Sequence, residues 1–147
     1  MIQGYTGNYE RHPWPMLVAG VSIPGLARSG ILHFLIDTGA NETAISPKDA
    51  TRLGIGASEL TVTDSRTGLG GKMAVARVEA EVRLDHLVIP APLWIVAPSG
   101  RQRPVVFGIP SVIGRDILSL FTLVLEDRSG MVVLLEEGER WPPGVDR

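Results

Sequence analysis

The chain has 147 residues, 44% of them hydrophobic and 20% charged, enough for one soluble domain with a real core. Its 14 Lys+Arg against 16 Asp+Glu give a net charge of −2, so the basic surplus a nucleic-acid binder needs is missing. Cysteine is absent, which excludes disulfide frameworks, thiolate metal sites and cysteine nucleophiles, and the three histidines (His12, His33, His86) stand in no metal-ligand spacing.

The longest apolar stretch, Leu87 to Pro98, spans 12 residues and holds three prolines, short of the roughly 20 needed to cross a bilayer. No basic start followed by an apolar run opens the chain, so no signal peptide is read and the cytoplasm is the expected compartment.

The 17 glycines and 11 prolines cut the chain into short segments, which reads as mostly β. Met16 to Ile23 is the first strand, ended by Pro24-Gly25. Ile31 to Ile36 is apolar except for His33 and reads as a strand buried on both faces, with His33 a satisfied core histidine. Ser46-Pro47-Lys48-Asp49 starts a short helix: Ser46 can cap, Pro47 suits the first turn, and Asp49 sits where a capping box wants an acid. Gly54 stops it after Leu53. Ala74 to Leu84 alternates, with Ala74, Ala76, Val78, Ala80, Val82 and Leu84 on one side and Arg77, Glu79, Glu81 and Arg83 on the other, Val75 being the exception, a long strand with one wet face.

Thr61-Val62-Thr63 is its expected partner across a glycine-rich tip at Thr67 to Gly71. Leu93 to Val96 and Val105 to Phe107 are further short strands, and Ile113 to Phe121 reads as a second short helix. Phe121 to Leu125 and Met131 to Leu135 form a hairpin around Asp127-Arg128-Ser129-Gly130. Residues 1–135 thus read as one domain and 136–147 as a loose tail, with Glu136-Glu137 and Glu139-Arg140 exposed. Trp14, Trp94 and Trp141 are candidates for core or interface, and Arg101-Gln102-Arg103 is a solvated basic loop.

Three stretches carry chemistry. In Phe34-Leu35-Ile36-Asp37-Thr38-Gly39-Ala40 an apolar strand ends at a carboxylate, which costs stability unless it is hydrogen-bonded or paired. Thr38 can donate, and Gly39 lets the backbone approach another group; the same triplet is also ordinary turn chemistry. Thr67-Gly68-Leu69-Gly70-Gly71 puts three glycines in four positions at a hairpin tip, either a plain turn or a tip whose backbone can meet a bound chain. Lys72 invites a phosphate-loop reading, but Arg66 replaces the first glycine, Met73 the Ser/Thr, and a strand follows. Val112-Ile113-Gly114-Arg115-Asp116 opens the second helix, and alone it is a strand-to-helix turn.

Together and in this order the three stretches resemble the retropepsin-like aspartic peptidases, over about residues 16 to 125. The first and third motifs are specific as a pair, and the segment after the third looks more like the cellular and bacterial members than the retroviral ones. The resemblance implies a mostly β, closed acid-protease-like β-barrel with one or two short helices and a glycine-rich flap hairpin. It implies Asp37, Thr38 and Gly39 as the catalytic triplet, with Thr38 bonding across a twofold axis. Ala40, Asn41 and Glu42 would line the cleft wall, Gly68, Leu69, Gly70 and Gly71 would form the flap over an extended peptide, and Gly114, Arg115 and Asp116 would support the catalytic loop. Retroviral members usually carry an acid directly after the alanine that pairs with this arginine; here it is Asn41, so the bond loses its ionic part, and Glu42 and Asp116 are the acids placed to compensate.

The implied activity is hydrolysis of peptide bonds by two carboxylates about 3 Å apart that share one proton. Asp64-Ser65 is followed by Arg66 and Asp127 by Arg128, so the chain holds one such motif and the pair requires a homodimer with Asp37 from each subunit. No metal and no cofactor are implied, since the carboxylates and a water suffice; the partners are a peptide or protein substrate and a second copy, with no nucleic acid and no membrane. The C-terminal hairpin either supplies the subunit contact or completes the chain's own sheet. Alternatives to turnover on foreign substrates are a catalytically silent dimeric peptide-binding module on the same fold and a processing element acting on its own precursor.

Overall fold

The structure, a computed structural model, describes residues 1–9, 11–62, 64–68, 71–97 and 108–142. The strands are β1 (Ile2–Gln3), β2 (Tyr5–Tyr9), β3 (His12–Ile23), β4 (Arg28–Ile36), β5 (Ala44–Ile45), β6 (Asp64–Gly68), β7 (Gly71–Leu84), β8 (Leu87–Val96), β9 (Ser111–Ile113), β10 (Thr122–Glu126) and β11 (Met131–Leu135). Two short α-helices are described, α1 (Pro47–Arg52) and α2 (Arg115–Leu118), with single 3-10 turns at Pro24–Leu26 and Ala57–Glu59.

Among the described residues, eight strands form one sheet in the order β2-β3-β4-β9-β5-β8-β7-β6, and β3 also pairs with β7 from Gly20↔Arg83 to Ser22↔Glu81. That extra pairing turns β3, β4, β9, β5, β8 and β7 into a ring of hydrogen-bonded strands, the form in which the expected barrel is realised. The interior of the ring is the core: Leu17, Phe34, Ile45, Val82, Leu84, Leu93, Ile95 and Ile113 are fully buried. The alternation read in Ala74 to Leu84 follows from this single wall from Ala76 onward, with Ala76, Ala80, Val82 and Leu84 inside and Arg77, Glu79, Glu81 and Arg83 outside, whereas Ala74 is exposed and Val75 buried, the reverse of the reading at that end.

The same wall corrects the reading of β4. Leu32, Phe34 and Ile36 are buried, but Ile31 is 66% exposed and His33 lies on the outer face, because only the inside of the ring is covered. His33 is therefore not a core histidine; its Nδ1 meets the Tyr5 hydroxyl at 2.5 Å, with the two rings edge to face. The strand before Pro24 is longer than Met16 to Ile23, because the β2–β3 hairpin extends it back to His12.

β8 likewise extends beyond Leu93 to Val96. Pro90 and Pro92 are tolerated because β5 pairs with β8 only at Trp94 and Ile95, leaving the proline stretch without a second described neighbour that needs an N–H. Across the expected hairpin β7 pairs with β6, which follows Thr61 and Val62 in the chain, in a register that runs from Asp64↔Val75 to Gly68↔Gly71. Leu69, Gly70, Thr63, Val105 to Phe107 and Arg101 to Arg103 lie outside the described residues.

Helix α1 starts and stops as its residues dictate. Ser46 Oγ accepts the Asp49 N–H at 3.2 Å. Gly54 takes φ +77°, and Ile55 N–H reaches Ala50 C=O at 2.9 Å, a Schellman ending that buries Ile55. The second helix is only four residues, because Ile113 belongs to β9 and its carbonyl is bonded to the Asp37 loop.

A second sheet, β1-β11-β10, joins the two ends of the chain. Val132, Val133, Leu134 and Leu135 of β11 are buried, so this strand completes the chain's own fold, whereas β10 forms the open edge with Leu125 46% exposed. Beyond β11, the Glu136 and Glu139 carboxylates take the Met1 ammonium, and Glu136 also meets His86 Nε2 at 3.1 Å.

Candidate active site

β4 delivers Asp37. Phe34, Leu35 and Ile36 run parallel to Ser111, Val112 and Ile113, and the ladder continues one step into the loop, where Asp37 N–H donates to Ile113 C=O at 3.1 Å. The chain then turns tightly, with Ala40 N–H on Asp37 C=O at 3.1 Å and Gly39 N–H on Asp37 Oδ1 at 3.0 Å. A Cβ on Gly39 would lie 3.2 Å from that same oxygen, so glycine leaves the carboxylate its room. Asp37 is half-buried, while Thr38 and Gly39 are exposed. An acid at the end of an apolar strand is thus held by a main-chain donor with one side open.

The loop rests on the third motif through backbone. Arg115 N–H donates to Ala40 C=O at 2.9 Å and Asp116 N–H to Asn41 C=O at 3.1 Å. This approach needs Gly114: a Cβ there would sit 2.7 Å from the Glu42 carbonyl carbon and 2.9 Å from Ala40 O. Arg115 Nη2 donates to Asn41 Oδ1, so the side-chain link between the motifs survives without an acid after Ala40. Asp116 does not stand in for that acid. Its carboxylate accepts the Thr43 N–H at 2.9 Å, the Thr43 hydroxyl at 2.7 Å and the Ile117 N–H at 2.9 Å. Glu42 turns to Arg77 Nη1 at 3.1 Å and to the Trp94 indole N–H, and the Arg77 guanidinium lies 5.2 Å from the Trp94 ring centroid.

Thr43 is the residue that sequence reasoning missed. It is fully buried, gives both its donors to Asp116, and accepts the Gly114 N–H on Oγ1 at 3.1 Å. The available signal was the acid in the third motif: its carboxylate can only accept, so it calls for donors, and Thr43 is a hydroxyl residue close behind Asp37. Gly68 and Gly71 pair to close the β6–β7 hairpin, the expected flap; its tip, Leu69 and Gly70, is outside the described residues. Among the described residues no three His, Asp or Glu side chains group as a metal site, and no helix is long and apolar enough to cross a membrane.

Residues 19–111 match the family model described as aspartyl protease, more than half of the chain, and the chain belongs to that family. Its fold is retropepsin-like. It is similar to the crystal structure of a retropepsin-like aspartic protease from Rickettsia conorii, at 16% identity over 82% of this chain and 89% of that one, with a TM-score of 0.56. It is also similar to EIAV protease complexed with the inhibitor HBY-793, at 18% identity over 77% of this chain and 92% of that one, with a TM-score of 0.52. A comparison with curated proteins gave no significant match.

Proposed function

We propose that this chain is an aspartic endopeptidase that cuts extended polypeptides as a homodimer, each subunit contributing Asp37. The observation that carries the reading is the Asp37 loop itself: a half-buried carboxylate holding one main-chain N–H, seated on Gly114, in a chain of the aspartyl protease family. Two such acids facing across a twofold axis cannot both ionise, so one keeps the shared proton. The ionised partner takes a proton from a water held between them as it attacks the peptide carbonyl, and the other protonates the carbonyl oxygen. The reaction needs only the two acids and that water, with no metal or cofactor.

In this reading Thr38, exposed in the single chain, bonds to its symmetry mate. Gly39 with Ala40, Asn41 and Glu42 borders the substrate, and the hairpin ending at Gly68, Leu69, Gly70 and Gly71 lies over it as an added strand would. Gly114, Arg115 and Asp116 hold the loop in place. The second copy meets the first at the β10 edge, where Leu125 is exposed, and residues 1–135 act as one domain in the cytoplasm.

The test is hydrolysis of a mixed peptide library by wild type and Asp37→Asn from acidic to neutral pH, with sedimentation run at the same protein concentration. Cleavage on the acid side that drops at least about a hundredfold in the variant, from a dimer, is the expected result. An equal rate in the variant, or cleavage by a sedimenting monomer, refutes it. Peptide binding without cleavage by the wild type would instead identify a silent binding module.

A further inference from the structure

We propose that Ser111 is a positioning residue, the hydroxyl through which helix α1 fixes the register of β9 and so the seat of the Asp37 loop. The starting point is an N-terminal box that does not close on itself. Ser46 caps Asp49, and in an ordinary capping box the acid at Asp49 would return the favour by accepting the Ser46 N–H. Here the Ser46 N–H goes to Ser111 Oγ at 2.9 Å, and the Ser111 hydroxyl donates to Asp49 Oδ2 at 2.6 Å. A residue of β9 is therefore inserted between the two halves of the box. A hydroxyl can do this because it accepts and donates at once, and the two bonds fix the direction of its proton. Ser46, Asp49 and Ser111 are all buried, so no water replaces Ser111 at low cost.

What this fixes is a strand of three residues. β9 is too short to set its own register against β4 and β5, and a slip by one residue would turn each side chain to the opposite face. Its far end has no tolerance for that: Ile113 C=O accepts the Asp37 N–H, and Gly114 occupies the one place where a Cβ would lie 2.7 Å from the Glu42 backbone. The chain of contacts runs from Asp49 to Ser111, along β9 to Ile113, and into Asp37. A buried hydroxyl at the start of β9 thus sets the geometry at its end.

The inference about register stands on the structure alone; its consequence for turnover rests on the peptidase reading. The test compares wild type, Ser111→Ala, Ser111→Thr and, as a distant core control, Val82→Ala, by amide hydrogen exchange followed residue by residue. Ser111→Ala is expected to speed exchange at Asp37, Gly114 and Arg115 by about tenfold beyond Val82→Ala once global stability is matched, and Ser111→Thr to restore it. Equal exchange at those three amides in Ser111→Ala and Val82→Ala would overturn the proposal. Should Ser111→Ala fail to fold, Asp49→Ala severs the other end of the relay and is read at the same amides. In peptide hydrolysis Ser111→Ala is expected to lower kcat about tenfold with KM within about twofold. A wild type that cleaves nothing would defeat the peptidase reading while the exchange result still decides the role of Ser111.

Discussion

Replacing Gly114 by alanine tests how closely the two motifs meet. The backbone there is ordinary, with φ −101° and ψ −174°, so alanine is not strained by its own dihedrals. The cost comes from contact: the new methyl would lie 2.7 Å and 2.8 Å from the Glu42 carbonyl carbon and oxygen and 2.9 Å from Ala40 O. All three are main-chain atoms, so no side chain can swing away. To reach an ordinary 3.4 Å contact the loop must retreat by about 0.7 Å, which stretches the Arg115–Ala40 and Asp116–Asn41 bonds beyond hydrogen-bonding range. Overpacking of this kind costs about 1–3 kcal/mol and each weakened bond about 1. A gain of about 0.4–1 kcal/mol from the stiffer unfolded chain offsets part of it. The net loss is about 2–4 kcal/mol, or about 8–15 °C in Tm for a chain of this size. Thermal melts followed by circular dichroism measure it, with Gly25→Ala as the control because a Cβ there meets nothing within 4 Å. Equal melting of the two variants would refute the steric argument.

Thr43→Val keeps the shape of the side chain but removes a donor to Asp116 and an acceptor for Gly114 N–H. It should cost about 2–4 kcal/mol in urea unfolding, with Thr43→Ser much closer to wild type. His86 is held above its ordinary pKa of 6.5 by hydrogen bonds to Glu136 first and Asp85 second. Its contact with Glu136 is accordingly complete below 6.5 and lost as the pH rises through the raised folded value. Glu136→Gln should move the NMR titration midpoint of His86 back toward 6.5, and an unmoved midpoint would contradict the assignment.

What the sequence made legible was whatever a short stretch decides by itself. The period-two run from Ala74 to Leu84 gave a strand because one wall of the ring faces water, and Ser46-Pro47 with Gly54 bounded a helix by their own backbone chemistry. The Asp37 loop stood out because a carboxylate closing an apolar strand is costly without a donor. What failed depended on distant neighbours. β4 looked two-sided because Ile31 and Leu35 are apolar, yet nothing among the described residues covers the outer face at Ile31. The register of β6 is set from the Gly68↔Gly71 pair rather than by the β-branched run before it. Thr43 and Ser111 gave no local signal, since each matters through a bond to a residue more than sixty positions away.

The bond between Arg115 and Asn41 gives the site a property that the usual acid would not. Asn41 Oδ1 accepts from Arg115 as an amide oxygen, and an amide carries no acidic proton to gain or lose with pH. Asn41→Asp would exchange this for an ion pair. Both residues are exposed, so the pair would be screened and worth about 0.2–1 kcal/mol near neutrality. Pairing with Arg115 would lower the pKa of the new carboxyl in the folded chain. Its stabilisation is therefore present above the unfolded value, about 3.9, and is lost as the pH falls through the folded one. The melting temperature of Asn41→Asp relative to wild type should thus rise from acid to neutral pH, by about 1–4 °C. A difference that stays flat across that range would mean that Arg115 does not hold position 41 in solution, and the side-chain link between the two motifs would have to be abandoned.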